Sequence, residues 1–308
     1  MMNFPLGSAG IGCFLSCGGG CRLLRHLALA SCFITANISF SDNAVATEPH
    51  VVIVVGTHHY SPERTMPQLA TVLGRIGFSV TVLLPEGDPE DNANGSGIRG
   101  LEALDQADIA IFFMRFLALS DEQFAVVERY VLSGRPVVGL RTSTHAFRYP
   151  KSHPRFEWNA KFGRDVLGTR YVAHQTGATE CRMVPSQSKH PILTGLENNS
   201  FVSSGSLYLT ALQPGCIPLV LGTGKRDAPR LIEGPFGTFY LPQTATDIVA
   251  WAWTNKYGAR VFGTSLGHAA DFGGSASMRV ILNGIRWSAG LVPLRQNEEI
   301  PTFKVAIR

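Results

Sequence analysis

The sequence predicts an α/β fold, a three-layer α/β/α sandwich built on a mostly parallel sheet. Two observations carry this. Continuous apolar runs, of the kind a strand buried on both faces requires, alternate with stretches whose apolar residues recur at helical spacing. The connections between them are short, as right-handed strand–helix–strand crossovers demand. With 308 residues, 45% of them hydrophobic and 16% charged, the chain can bury a substantial core and does not read as disordered.

The elements follow in order. His50 to Gly56 is an apolar run and reads as the first strand. After the loop Thr57–Arg64, the residues Met66, Leu69, Val72, Leu73 and Ile76 mark a helix that Gly77 ends. Phe78 to Leu84 is the second strand, and Pro85 to Gly97 a polar, acidic loop. Leu101 to Ala107 is a short helix, and Asp108 to Phe113 the third strand, running into Met114-Arg115-Phe116. Ser120 caps a helix whose buried face is Phe124, Val127 and Val131. Pro136 to Leu140 is the fourth strand. Residues 150–180 lose this rhythm and read as an inserted, loop-rich segment. Short strands return around Met183, Leu207 and Val220, and Gly222-Thr223-Gly224-Lys225 reads as a turn. Asp247–Thr254 and Arg260–Thr264 are strands joined by a turn, and Met278, Ile281, Leu282 and Ile285 mark the last helix. No repeat or internal linker divides this body, so residues 47–308 are expected to be one domain.

Residues 1–46 read as a leader. Arg22 and Arg25 precede an apolar run, no acid occurs before Asp42, and Ala44-Val45-Ala46 has the small-x-small pattern of a cleavage site. Export is therefore expected, to the periplasm or outside the cell. A lipid anchor on Cys32, within Leu29-Ala30-Ser31-Cys32, and a start codon placed upstream of a cytoplasmic protein are the alternatives. Four of the six cysteines, Cys13, Cys17, Cys21 and Cys32, belong to the leader, which leaves Cys181 and Cys216 as a pair that an oxidising compartment would allow to join. Formal net charge is +4, about +3 without the leader, too little to argue for nucleic acid. No apolar run is long enough to span a membrane, and no dinucleotide fingerprint follows the first strand, so NAD has no motif here.

In a parallel sheet, ligands gather at the carboxyl ends of the strands. Those ends carry His58, His59, Tyr60 and Glu63 after the first strand, and Arg115 after the third. Arg141, Ser143 and His145 follow the fourth, and His268 with Asp271 the late strand. Arg141, His145 and His268 are the expected catalytic set, with Arg115, Glu63, His58, Tyr60 and Ser143 expected to contact substrate. A histidine at a helix start is lowered in pKa, which suits a neutral acid/base at His145. No H-x-x-x-H or H-x-H spacing occurs, so the cofactor stays unknown, with a divalent metal held by His58, His59 and Glu63 together with His145 or His268 left open.

Several segments together resemble the trehalose-utilisation (ThuA-like) family. They are Arg260-Val261-Phe262-Gly263-Thr264-Ser265-Leu266-Gly267-His268 with Asn283-Gly284-Ile285-Arg286-Trp287, the stretch Gly134 to Phe147, the stretch His153 to Gly168, and His190 to Leu196. The resemblance covers roughly residues 50–290 and implies a sheet like that of the class I glutamine amidotransferases (flavodoxin-like). True amidotransferases carry a nucleophilic cysteine in a Gly-x-Cys elbow. Here Gly139-Leu140 is followed by Arg141, and a guanidinium does not attack. A thiol glutaminase is thereby set aside. The resemblance implies a carbohydrate-active enzyme working on a disaccharide or keto-sugar, with histidine acid/base chemistry and Arg141 or a metal stabilising an oxyanion. The alternatives are a non-catalytic exported carbohydrate-binding or scaffold protein, and an esterase or amidase using Ser143. A homo-oligomer is compatible with all three.

Overall fold

The computed structural model describes residues 48–87, 97–196, 200–234 and 237–306. The leader and its cysteines lie outside the described residues. The strands are β1 (His50–Gly56), β2 (Ser79–Leu83), β3 (Ile109–Met114), β4 (Val137–Leu140), β5 (Ala173–His174), β6 (Thr176–Met183), β7 (Ser200–Ser203), β8 (Tyr208–Leu209), β9 (Ile217–Lys225), β10 (Arg230–Gly234), β11 (Gly237–Leu241), β12 (Thr244–Thr254) and β13 (Arg260–Thr264). The helices are α1 (Pro62–Arg75), α2 (Asp121–Leu132), α3 (Trp158–Lys161) and α4 (Ser275–Ser288).

Nine strands form one mixed sheet in the order β2-β1-β3-β4-β13-β12-β9-β6-β7. The first five run parallel, and β12, β9, β6 and β7 extend the sheet by antiparallel pairing. Strand alternation sorts the core into two layers. Val51, Ile53 and Val55 point to the face covered by α1 and α4, where Met66, Leu69, Met278 and Ile281 pack. Val52 and Val54 point to the other face, against Phe124, Val127 and Tyr130 of α2. The apolar runs of β1 and β3 are thus buried on both sides, as the predicted three-layer sandwich requires. No helix among the described residues is long and apolar enough to cross a membrane.

Two sequence expectations change. Gly222-Thr223-Gly224-Lys225 is not a turn but the end of β9, paired with both β12 and β6. A Cβ at Gly224 would sit 2.8 Å from Leu207 Cβ, so close packing against the neighbouring segment, rather than a bend, explains that glycine. The hairpin β10–β11 also escaped sequence reading, because its apolar residues Leu231 and Tyr240 face solvent (68% and 64% exposed) and mark no buried face. Cys181 and Cys216 are both free thiols, and burial pushes them up to about 12 and about 11.

Candidate functional site

The carboxyl ends of β1, β3, β4 and β13 lie side by side, and each delivers a polar group. The backbone there is unusual. Tyr60 (φ 75°), Ser61 (φ 56°), Phe116 (φ 51°) and Arg141 (φ 45°) are the residues other than glycine with a left-handed backbone among those described. Each such residue costs roughly 1–2 kcal/mol, and strain of this kind persists where the surroundings over-determine it. At Arg141 the chain leaves β4 and turns at once into a short 3-10 helix, Arg141–His145. That is the sharp strand-to-helix elbow the sequence placed here.

Arg141 does not stand open at the mouth of the site. It is 1% exposed. Its guanidinium carbon lies 4.0 Å from the ring centre of Tyr60 and 4.9 Å from that of Tyr208. Nη1 donates to the Ser265 carbonyl at 2.8 Å, Nη2 reaches Ser206 Oγ at 3.5 Å, and Nε has no partner. The close approach of Gly205 makes room for this group. A Cβ there would overlap Nη1 and lie 2.8 Å from Cζ.

Around this pair of rings the predicted histidines assemble. The His268 ring centre is 5.8 Å from Tyr60, and the His145 ring centre is 5.8 Å from Tyr208 and 5.0 Å from Phe116. Arg115 stacks on Phe116 at 4.4 Å. Arg141, His145, His268, Tyr60 and Arg115 are therefore brought together. His145 closes the 3-10 helix rather than starting a helix, so its lowered pKa has a different origin from the one expected. Burial is the main cause, followed by the charge of Arg115 and the proximity of His174, His59 and Arg141. Burial with Arg115 and Arg141 likewise holds His59 down at about 4. His174 is lowered by burial and by Arg141, Arg226 and Arg115, and His268 by burial and Arg141 against an opposing Asp271. All four imidazoles are thus neutral at neutral pH.

His268 caps the 3-10 helix Ala269–Gly273, its Nδ1 accepting from the Ala270 amide at 3.3 Å. The ring proton consequently sits on Nε2, which leaves that edge a donor. Asp271 fixes the loop. Oδ2 accepts from the amides of Gly267 and His268, both at 3.0 Å, and Oδ1 accepts from Ser203 Oγ at 2.8 Å and the Ser204 amide at 3.1 Å.

Three expected substrate contacts sit elsewhere. Ser143 Oγ is directed to the carbonyls of Phe112 (2.6 Å) and Leu140 (3.0 Å) and accepts from the Met114 amide (3.2 Å). The buried hydroxyl ties β3 to β4, which corrects its reading as a substrate contact or nucleophile. His58 and Glu63 pair with one another (Nδ1–Oε2 3.6 Å), both side chains largely buried. No hydrogen bond or ring contact joins them to the Arg141 cluster. Among the described residues no three His, Cys, Asp or Glu side chains converge to hold a metal ion.

Tyr171, Tyr208 and His174 were not among the residues expected from the sequence to form the site. Tyr208 and His174 are register partners across β5 and β8, and the Tyr171 ring centre is 4.4 Å from His145. Tyr171 and His174 come from the segment without periodicity and Tyr208 from a strand of two residues, so no repeating pattern announced them.

A family model described as trehalose utilisation (ThuA) matches residues 50–288. Among solved structures, the chain is similar to a ThuA-like protein from Parabacteroides merdae ATCC 43184 (TM-score 0.52, 15% identity, covering 82% of this chain and 95% of that chain). It is also similar to a ThuA-like protein from Bacteroides uniformis ATCC 8492 (TM-score 0.51, 13% identity, covering 80% and 94%). No protein of curated function matches the chain. The structural likeness is one of fold, in keeping with the glutamine amidotransferase-like sandwich.

Proposed function

From the premise that the chain belongs to the trehalose-utilisation (ThuA) family, we propose that it is an exported enzyme that moves a proton on a disaccharide or its keto form. A hydrogen on the carbon next to a sugar carbonyl is removed by a neutral histidine while charge develops on the carbonyl oxygen. One observation carries the reading: neutral imidazoles and the guanidinium groups of Arg115 and Arg141 share one rim of the sheet. A neutral base can accept the proton, and fixed positive charge favours the oxyanion.

Within that reading the roles divide by hydrogen bonding. His268 has its Nδ1 engaged and presents an N–H, so it is assigned to orienting the sugar through a hydrogen bond. His145, whose Nδ1 lies 3.4 Å from Thr144 Oγ1, is assigned as the base. The family points to a role in trehalose utilisation. The test is proton–deuterium exchange into a keto-disaccharide in heavy water, followed by nuclear magnetic resonance. Exchange by the wild type and its loss in His145→Ala supports the reading. Binding of the sugar without exchange in the wild type refutes it and favours a carbohydrate-binding protein.

A further inference from the structure

Arg141 is a buried cation with no ion pair among the described residues. Asp271, the carboxylate that bears on it electrostatically, is spent on four donors of its own. Removing a charge from water without an anionic partner is costly, so something nearby must carry compensating negative character. Two phenols face the guanidinium. Tyr208 is 4% exposed, whereas Tyr60 is half-buried and reaches the surface between His59 (ring centres 4.2 Å apart) and His268. The chain accepts two consecutive left-handed residues, Tyr60 and Ser61, to hold that ring over Arg141.

We propose that Tyr60 is the group that meets the substrate oxygen, and that Arg141 is a positioning residue acting through it. The inference rests on the proton-transfer reading above. As His145 takes the proton from carbon, the C–H electron pair becomes a carbon–carbon double bond and the carbonyl π pair moves onto oxygen. The Tyr60 O–H then gives its proton to that oxygen, leaving a neutral enediol, a protonated His145 and a Tyr60 phenolate beside Arg141. The electrostatics agree with this geometry. Burial works to raise the Tyr60 phenol, but the Arg141 charge and hydrogen bonding from Arg141, Tyr208 and Ser206 outweigh it, making it more acidic than an ordinary tyrosine. Tyr208 is instead pushed up, by burial first.

Two measurements on the full chain test this. In the first, tyrosinate absorbance is titrated in the wild type and in Tyr60→Phe, which keeps the ring over Arg141. The wild type should show one tyrosine ionising below the ordinary value of 10 that Tyr60→Phe lacks. Arg141→Gln should move that ionisation upward. If Arg141→Gln does not fold, Tyr208→Phe, which removes a hydrogen-bond donor to the phenolate, should move it in the same direction. Identical titrations of wild type and Tyr60→Phe below that value would overturn the inference. The second is the exchange assay. Tyr60→Phe should slow exchange roughly 100-fold, the lower range for a lost general acid, with keto-sugar affinity largely kept. Exchange in Tyr60→Phe at the wild-type rate overturns the role of Tyr60 while the proton-transfer reading stands. No exchange in the wild type overturns both.

Discussion

Asp271→Ala tests how the loops that carry the site are held. The carboxylate is 2% exposed and joins two segments distant in sequence, the β7–β8 loop through Ser203 and Ser204 and the β13 loop through Gly267 and His268. In the alanine variant the Ser203 hydroxyl can turn to another acceptor, but three backbone amides lose theirs. At roughly 1–3 kcal/mol for each stranded donor, the loss is about 3 kcal/mol or more, and larger if the charge assistance is counted in full. For a body of this size that lowers the melting temperature by roughly 6–12 °C. Asp271→Asn should be milder. Its best orientation keeps the oxygen on Gly267 and His268 and turns the amide toward Ser203, leaving the Ser204 amide alone, a cost of about 1–3 kcal/mol. Urea unfolding of the three proteins measures both differences. An alanine variant within about 1 kcal/mol of wild type, or an asparagine variant as damaged as the alanine one, would refute the hydrogen-bond reasoning.

Other outcomes follow from the same geometry. His59 is neutral in the folded state down to about 4, against an ordinary value of 6.5, so the unfolded chain binds more protons in between. The stability that His59 contributes is complete above that ordinary value and lost as pH falls toward the folded one, and melting curves of His59→Gln should depend less on pH across that window. Gly205→Ala should displace the Arg141 guanidinium and cost about 1–3 kcal/mol, which thermal unfolding reads. The Tyr60 ionisation should then rise in the absorbance titration. Ser143→Ala should lose roughly 1–2 kcal/mol in urea unfolding yet retain turnover, since the hydroxyl bonds to backbone and not to substrate; complete inactivity in a folded variant would revive Ser143 as a nucleophile. The proposed export predicts Thr47 at the N-terminus, which mass spectrometry of the protein isolated from its host checks; lipid on Cys32 or an intact Met1 would count against it.

The parallel half of the sheet was legible because its strands are apolar throughout and the helices between them have an unmistakable period. Arg115, Arg141, His145 and His268 were legible for a further reason: parallel strands end on one side, so residues just past them must share a rim. Tyr171 and Tyr208 were not. They reach the rim from an irregular segment and from a strand of two residues, which no periodicity announces. Nor was the role of Ser143, since its partners Phe112 and Met114 lie about thirty residues away in sequence and only the packed β3–β4 pair brings them close. Arg141 shows a third kind of limit. The elbow placed its backbone correctly, but the covering Tyr208 that buries it comes from β8, a two-residue strand whose position over Arg141 no periodicity announces.

The four left-handed residues at the rim bear on how this protein would respond to selection. Glycine adopts their backbone at no steric cost. A library screened for heat resistance alone could relieve that strain only by placing glycine at Tyr60, Ser61, Phe116 or Arg141, and would keep it only where the relief exceeds the packing lost. Each such gain would strip a ring, a hydroxyl or a cation from the rim. Robustness and chemistry thus compete for the same codons here, and a thermostabilised variant would be best sought with those four held fixed.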